Sequence, residues 1–275
     1  MHLPVEKFLF HRGRLPLLVS MPHTGEYIPP DIRIDMSAAA LKLADTDWHL
    51  PRLYDFLEGL GASILVATYS RYVIDLNRPE DNANLYPGQD TTTLCPLDSF
   101  RREDLYQPGR TPDETAIQRR ISQYWRPYHR WLEQELQRMR AEHGVAMLWD
   151  AHSIASVVPR FFAGRLPDLN LGTGGGSSCA PELTQGLQAV AIQAAGAGYS
   201  HAVNGRFRGG HITRHYGRPE HNIHAVQLEQ TQLTYMEEQA PFAFDEQRAA
   251  RVRPILQQFM QVMLDWARTH GHAPH

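Results

Sequence analysis

Residues 145–153, Val-Ala-Met-Leu-Trp-Asp-Ala-His-Ser, decide how the rest of the chain is arranged. Four apolar residues between Gly144 and a polar tip predict a short buried strand over residues 145–150. His152 follows that strand, where open α/β sheets hold their reacting groups, beyond the carboxyl ends of the strands. From this stretch alone, His152 is a metal ligand, a general base or a structural histidine.

The composition indicates a folded protein of ordinary polarity. The chain has 275 residues, 42% of them hydrophobic and 21% charged, with a formal net charge of −3. A chain of this length can bury a large core, and we predict a single domain over residues 1–275. The weak negative charge creates no basic field, so nucleic acid and anionic membranes are not expected partners. A homo-oligomer is compatible with the sequence.

Two features of the sequence predict a cytoplasmic location. No apolar run reaches the roughly 20 residues that span a bilayer, and residues 1–16 lack the apolar core of a signal peptide. Cys95 and Cys179 are the only cysteines and form no CxxC motif, which is typical of a reducing compartment. We therefore expect no membrane partner.

Strands and helices alternate along the chain. Buried strands are predicted at residues 15–20, 62–68, 71–76, 145–150 and 223–228, and helices at 52–60, 111–142, 181–197 and 245–270. Thr111, Pro112 and Glu114 predict a capped start of the second helix, and Pro127 predicts a bend within it. This alternation predicts an α/β sandwich. The polar segment 80–110 is long for a plain connection, and we interpret it as a functional flap.

Residues with metal-binding chemistry lie at or beside several predicted strand ends. They are His23, the pair Asp45 and Asp47, and His152, and Glu229 ends a further apolar strand. Two imidazoles and one carboxylate form a known catalytic zinc set that leaves a fourth position for water. Zinc lowers the pKa of that water, and a nearby carboxylate can take its proton. Each residue alone also fits a structural role, but together they favour a metal-dependent hydrolase.

Several motifs in order along the chain resemble the N-formylglutamate amidohydrolase family. They are VSMPHTGEYIP, LADTDWHLPRLYDF, SRYVIDLNRP, LWDAHSIAS, PRFFAGRLPDLNLGT, NGRFRGGHITRHYGRP and VQLEQTQLTYM. The resemblance covers about residues 5–265. It implies a zinc exopeptidase-like, phosphorylase/hydrolase-like fold, a three-layer α/β sandwich with a mixed, mostly parallel central sheet.

The resemblance implies a role for each of the clustered residues. His23, Asp47 and His152 would hold one Zn²⁺ per chain, and Glu229 would be the general base. Another divalent metal is an alternative to zinc. Asp47 is preferred over Asp45 as the ligand, and Asp45 and Asp150 would orient the ligand imidazoles from behind.

The implied substrate carries two carboxylates, so its site needs at least two cations, preferably arginines. Asn77 and Arg78 resemble the Asp-x-Asn-Arg motif with which aspartoacylase-like enzymes hold a substrate carboxylate. Arg78 ranks first and Arg214 second among the candidate arginines. Other residues in the polar loops with a possible substrate-binding role are Arg71, Arg160, Arg206, Arg208, His211, His215 and Arg218. For Arg206 and Arg208 a loop salt bridge is the favoured interpretation. His211 and His215 flank Arg214, and either could polarise the substrate carbonyl, bind substrate or have a structural role.

The implied activity is hydrolysis of N-formyl-L-glutamate to formate and L-glutamate, a step of histidine degradation. The alternative within the same chemistry is another zinc amidase, a carboxypeptidase or an aspartoacylase-like deacylase that acts on a small N-acyl amino acid. A metal-dependent binding protein without catalysis is the alternative from another class, and the presence of Glu229 argues against it.

Overall fold

Seven strands form one sheet in the computed structural model, which describes residues 5–271. The strands are β1 (Phe8–His11), β2 (Leu17–Met21), β3 (Ser63–Ala67), β4 (Ala146–Ile154), β5 (Leu169–Gly172), β6 (His201–Val203) and β7 (Ile223–Thr231). Their order across the sheet is β1-β3-β2-β4-β7-β5-β6. β1 pairs antiparallel with β3 and β5 antiparallel with β7, while the remaining pairs are parallel. The sheet is therefore mixed and mostly parallel.

The helices cover both faces of this sheet. They are α1 (Pro30–Arg33), α2 (Leu50–Leu53), α3 (Leu57–Leu60), α4 (Glu114–Arg120), α5 (Arg126–His143), α6 (Pro181–Ala195), α7 (His211–Tyr216) and α8 (Glu246–His270). A π-helical turn, Ile121–Trp125, joins α4 to α5 just before Pro127. None of the helices in the described residues is both long and apolar enough to cross a membrane.

The alternation of side chains along the strands creates two separate cores. Met147 and Trp149 of β4 face the core built by α2, α3, α6 and α8. Ala146 and Leu148 face the opposite core, to which α4, α5 and α7 contribute. Since a strand presents alternate residues to opposite faces, both faces must be covered when both sets are apolar. The result is a three-layer α/β sandwich, as the sequence predicts.

The pairing of β4 with β7 determines where the polar tips lie. Both strands run for nine buried residues, and their parallel register places His152 opposite Glu229. Parallel strands end at the same edge of a sheet, and β2, the other neighbour of β4, ends two residues before His23. The register thus brings His23, His152 and Glu229 to one edge of the sheet.

The predicted strand at residues 71–76 is wrong. These residues form turns, in which the Val73 amide donates to the Ser70 carbonyl and the Asp75 amide donates to the Leu94 carbonyl of the flap. Tyr72, Val73 and Ile74 are buried in the core under α5. Their apolar pattern therefore comes from packing in the core, since these residues do not pair with a neighbouring strand.

Other boundaries differ from the sequence-based prediction for local reasons. The N-cap of α4 is Asp113, whose carboxylate accepts from the Ala116 amide at 2.8 Å, so the helix starts later than the Thr111 signal. The helix after Pro51 is divided into the short α2 and α3. The strands β1, β5 and β6 and helix α7 are short, and the sequence pattern did not predict them.

Candidate active site

His23, Asp47 and His152 converge into one buried cluster. One donor atom from each residue lies within 4.8 Å of the others. The Asp47 Oδ2 atom is 3.7 Å from His23 Nδ1 and 3.1 Å from His152 Nδ1. All three side chains are almost fully buried, with exposures between 1% and 4%. This group can hold a metal ion.

The loops around the sheet edge place the first two members of the cluster. His23 follows β2, and the Asp47 amide donates to the His23 carbonyl at 3.0 Å, which joins the two loops. On its other side, His23 Nε2 lies 2.7 Å from Asp75 Oδ1, and Asp75 also pairs with Arg71 at 2.8 Å. Burial and the charge of Arg71 lower the pKa of His23. A neutral imidazole whose Nε2–H donates a hydrogen bond to Asp75 presents the lone pair of Nδ1 to a metal.

His152 is held in a similar way from behind. Its Nε2 atom is 2.8 Å from Asn77 Nδ2 and 3.1 Å from Asp150 Oδ1. The Ile212 amide donates to Asn77 Oδ1, which orients the Asn77 side chain. Gly210 packs so closely that a Cβ atom there would lie 2.5 Å from Asn77 Nδ2, so only glycine fits at this position.

The donor set fits a metal with three protein ligands. His23 Nδ1 is buried without a hydrogen-bond partner among the described residues, which is costly unless a ligand occupies that side. Zinc bonds of about 2.0–2.1 Å in a tetrahedron place neighbouring donors roughly 3.3 Å apart. The Asp47 oxygen lies 3.1 and 3.7 Å from the two imidazole nitrogens, and all three donors lie within 4.8 Å of one another. Burial lowers the pKa of His152, but Asp150 and Asp47 outweigh it and raise that pKa well above normal. The cluster is therefore an environment that favours a cation.

Glu229 stands beside this cluster on β7. It is 9% exposed, and within the described residues its carboxylate accepts one side-chain hydrogen bond, from Gln227 Nε2 at 3.5 Å. Burial raises the pKa of Glu229 to about 8, with a further upward contribution from Asp47. A carboxylate with a raised pKa, in a pocket next to a metal set, has the properties of a general base.

A pocket opens from His23, His152 and Glu229 toward the flap. Its lining includes both charged and aromatic side chains, namely Arg71, Asp75, Asn77, Arg78, Tyr86, Asp90, Phe100, Phe161, Arg206, Phe207 and Gln227. Among the residues predicted to bind substrate, Asn77 and Arg78 line this pocket. Arg78 donates to the Thr92 carbonyl at 3.0 Å, which ties it to the flap.

The structure does not bring Arg160, Arg214 or His211 to the pocket wall. Arg160 pairs with Asp90 at 3.0 Å and with Asp98 at 2.9 Å, both in the flap. Arg214 donates to the Leu85 carbonyl at 3.2 Å and stacks on the Tyr86 ring. The guanidinium groups of both residues are therefore engaged in holding residues 80–110.

His211 and Asp45 also lie apart from the places that the sequence predicted. The His211 ring stacks with His215 at 4.9 Å between centroids, and burial together with His215 lowers the pKa of His211 to about 4. Asp45 does not contribute to the metal cluster. Its Oδ2 atom accepts from the Phe100 amide at 2.8 Å, so it binds the flap and no ligand imidazole.

The sequence pattern does not predict the contacts of three charged pocket residues, which are Asp75, Arg71 and Arg206. The sequence pattern predicts a strand over residues 71–76, and a strand there gives no reason to expect Asp75 beside His23. The sequence does not distinguish Arg71 from the other loop arginines. Its position four residues before Asp75 could have indicated the ion pair that the two residues form. Arg206 was assigned to a loop salt bridge, but it lines the pocket and pairs with no carboxylate of the described chain.

Comparisons with known proteins point in one direction. The family model for N-formylglutamate amidohydrolase matches residues 15–236. The N-formylglutamate deformylase of Pseudomonas aeruginosa is 53% identical over 263 residues, which cover 96% of this chain and 98% of that protein. The enzyme of the same name from Pseudomonas putida is 52% identical over 257 residues, 94% and 95% of the two chains.

Solved structures share the same fold. A crystal structure of N-formylglutamate amidohydrolase from Ralstonia eutropha JMP134 matches with a TM-score of 0.80 at 24% identity, covering 96% of this chain and 99% of that one. A protein from Agrobacterium tumefaciens matches with a TM-score of 0.71 at 19% identity, covering 96% and 97%.

Proposed function

Because the chain belongs to the N-formylglutamate amidohydrolase family, we propose that it hydrolyses N-formyl-L-glutamate to formate and L-glutamate, a step of histidine degradation. The observation that carries this proposal is the convergence of His23, Asp47 and His152 beside a buried carboxylate, Glu229. Metal donors and a base in one pocket with arginines unpaired among the described residues are what hydrolysis of an anionic amide requires.

The donor set is proposed to hold one zinc ion. Two imidazole nitrogens and one carboxylate oxygen match catalytic zinc sites, which keep a further position open. When bound, zinc would polarise the formyl carbonyl and lower the pKa of water at the site. Asp75 and Asp150 orient the two imidazoles from behind.

Glu229 is proposed to move the proton. Its carboxylate takes the proton of the attacking water as the water oxygen forms a bond to the formyl carbon. Glu229 then gives that proton to the amide nitrogen as the carbon–nitrogen bond breaks, which releases formate and the amine of glutamate. Burial keeps the carboxylate basic enough for the first transfer.

Arg78 and Asn77 are proposed to bind a substrate carboxylate. Arg78 lines the pocket, and no salt bridge within the described part of the chain engages its guanidinium. Asn77 lies against His152, so a carboxylate held at this point is near the metal donors. The sequence predicts substrate binding by Arg160, His211 and Arg214. The contacts of Arg160 and Arg214 instead support a role in holding the flap, and His211 stacks on His215.

The proposed function can be tested with the purified full-length protein. We expect formate release from N-formyl-L-glutamate to stop after treatment with a chelator and to return when zinc is added. A matched panel of N-formyl and N-acetyl amino acids measures acyl and amino acid preference. Undiminished activity in metal-free protein would contradict the metal mechanism, and the absence of formate release from the zinc-loaded protein would contradict the proposed substrate.

A further inference from the structure

The Arg206 guanidinium is held over the pocket by aromatic rings. Its carbon lies 5.4 Å from the centroids of Tyr86 and Phe161 and 5.5 Å from that of Phe207. Each distance is within the range of a cation–π contact. These rings fix the direction of a long side chain that would otherwise be free in a loop, so Arg206 is oriented before any ligand binds.

The hydrogen bonds of Arg206 use only two of the three nitrogens of its guanidinium within the described residues. Its Nε atom donates to the Phe161 carbonyl at 2.8 Å, and one terminal nitrogen donates to the Asp90 carbonyl at 3.2 Å. The other terminal nitrogen has no hydrogen bond to the described residues, and no carboxylate of these residues pairs with Arg206. Arg71 and Arg160, by contrast, each form salt bridges with aspartates.

Arg78 and Arg206 therefore line the same pocket as two cations, neither of which forms a salt bridge with a carboxylate of the described residues. Burial lowers the pKa of Arg206, and the charge of Arg78 lowers it further, while Tyr86, Asp90 and Glu229 oppose the shift. Like charges that share a partly buried site repel each other, and a dianion between them would remove that repulsion. The pocket is thus built for a ligand with two negative groups.

The two arginines have different neighbours in the pocket. Arg78 follows Asn77, which touches the metal-binding histidine His152. The contacts of Arg206 are with Tyr86 and Asp90 of the flap and with Phe161 and Phe207, and none of its hydrogen bonds within the described residues is to a metal donor. In N-formylglutamate the α-carboxylate is next to the scissile amide, while the other carboxylate is at the end of the side chain.

We propose that Arg206 binds the side-chain carboxylate of the substrate and makes the enzyme select glutamate over uncharged amino acids. This inference rests on the proposed function and extends it. In it, Arg78 binds the α-carboxylate of the substrate, and Arg206 determines which amino acid side chain the enzyme accepts. The rings of Tyr86, Phe161 and Phe207 position Arg206 for this role.

Kinetics of Arg206→Gln with two substrates test the proposal. For N-formyl-L-glutamate we expect kcat/KM to fall about 10- to 100-fold, the usual loss when a charged hydrogen bond is removed. For N-formyl-L-glutamine we expect a change of less than about threefold, because that substrate has no charge for Arg206 to bind. Arg208→Gln is the matched control, since Arg208 is exposed and lies outside the pocket. Equal losses on both substrates would overturn the proposal.

A binding experiment separates this inference from the proposed activity. Calorimetry with glutarate and pentanoate, which match the five-carbon skeleton of glutamate with two carboxylates and one, needs no turnover. We expect the zinc-loaded wild type to prefer glutarate by at least about tenfold and Arg206→Gln to lose that preference. A wild type without the preference would refute the role of Arg206, even if it hydrolyses N-formylglutamate. A wild type with the preference but without hydrolysis would refute the proposed activity alone.

Discussion

The two ends of the pocket are built in different ways. At the metal end, the side chains come from sheet strands or the loops directly beside them, and each buried imidazole is braced by a second polar group. At the flap end, the arginines come from loops and are held by backbone carbonyls and aromatic rings. Strand register therefore determines the chemistry, while the loops determine which molecule reaches it. Changes at the two ends should have different effects on kcat, metal affinity and KM.

The largest effect is expected from Glu229→Gln at the metal end. Loss of the proposed general base should lower kcat about 10²- to 10⁴-fold, while the zinc content stays near one per chain because the three proposed ligands remain. Formate release and metal analysis on the same sample measure both quantities. Glu237→Gln removes an exposed carboxylate outside the pocket and serves as the control. Near-normal turnover in Glu229→Gln would show that the base is another group.

Asp75→Asn should lower the affinity for zinc more than it lowers kcat of the zinc-loaded enzyme. Burial alone would raise the pKa of Asp75, but His23 and Arg71 hold that pKa well below its usual range, so the carboxylate is charged beside His23. Its replacement by an amide should reduce zinc affinity about 10- to 100-fold. Competition with a chromogenic chelator measures this affinity, and Asp55→Asn on the surface is the control. Unchanged affinity would mean that Asp75 does not orient the ligand imidazole.

Arg78→Lys should act at the flap end and change substrate binding. Lysine keeps the charge but loses the planar fork that binds a carboxylate with two hydrogen bonds, so KM should rise about tenfold with unchanged zinc content. Steady-state kinetics with N-formyl-L-glutamate measure this effect. Kinetics equal to those of the wild type would place the carboxylate site elsewhere.

The smallest effect is expected from Arg214→Gln. The side chain holds the flap through the Leu85 carbonyl and the Tyr86 ring, so its loss should raise KM only about two- to fivefold and make residues 80–110 easier to cleave. Limited proteolysis and kinetics measure the two changes. A loss of substrate affinity as large as that of Arg78→Lys, with no change in proteolysis, would instead support the direct role that the sequence suggested.

The sequence predicts the metal end better than the flap end. His23, His152 and Glu229 follow apolar runs whose strand nature is evident, and parallel strands bring their ends together. The roles of Asp75 and Arg206 depend on turns and on contacts between residues far apart in the chain, such as Arg206 with Phe161. Apolar periodicity contains no information about these contacts. The pattern of residues 71–76 predicts a strand wrongly, because apolar and polar residues can alternate in a buried turn as they do in a strand.

The alignment of His152 with Glu229 also limits how this protein can diverge. Inserting or deleting one residue within β7 ahead of Glu229 would turn its carboxylate to the opposite face of the sheet, into the apolar core around α6 and α8. The flap has no such constraint, because loops tolerate changes in length. We therefore expect descendants of this enzyme to acquire new amino acid preferences through length changes at residues 80–110, while the two central strands keep their length.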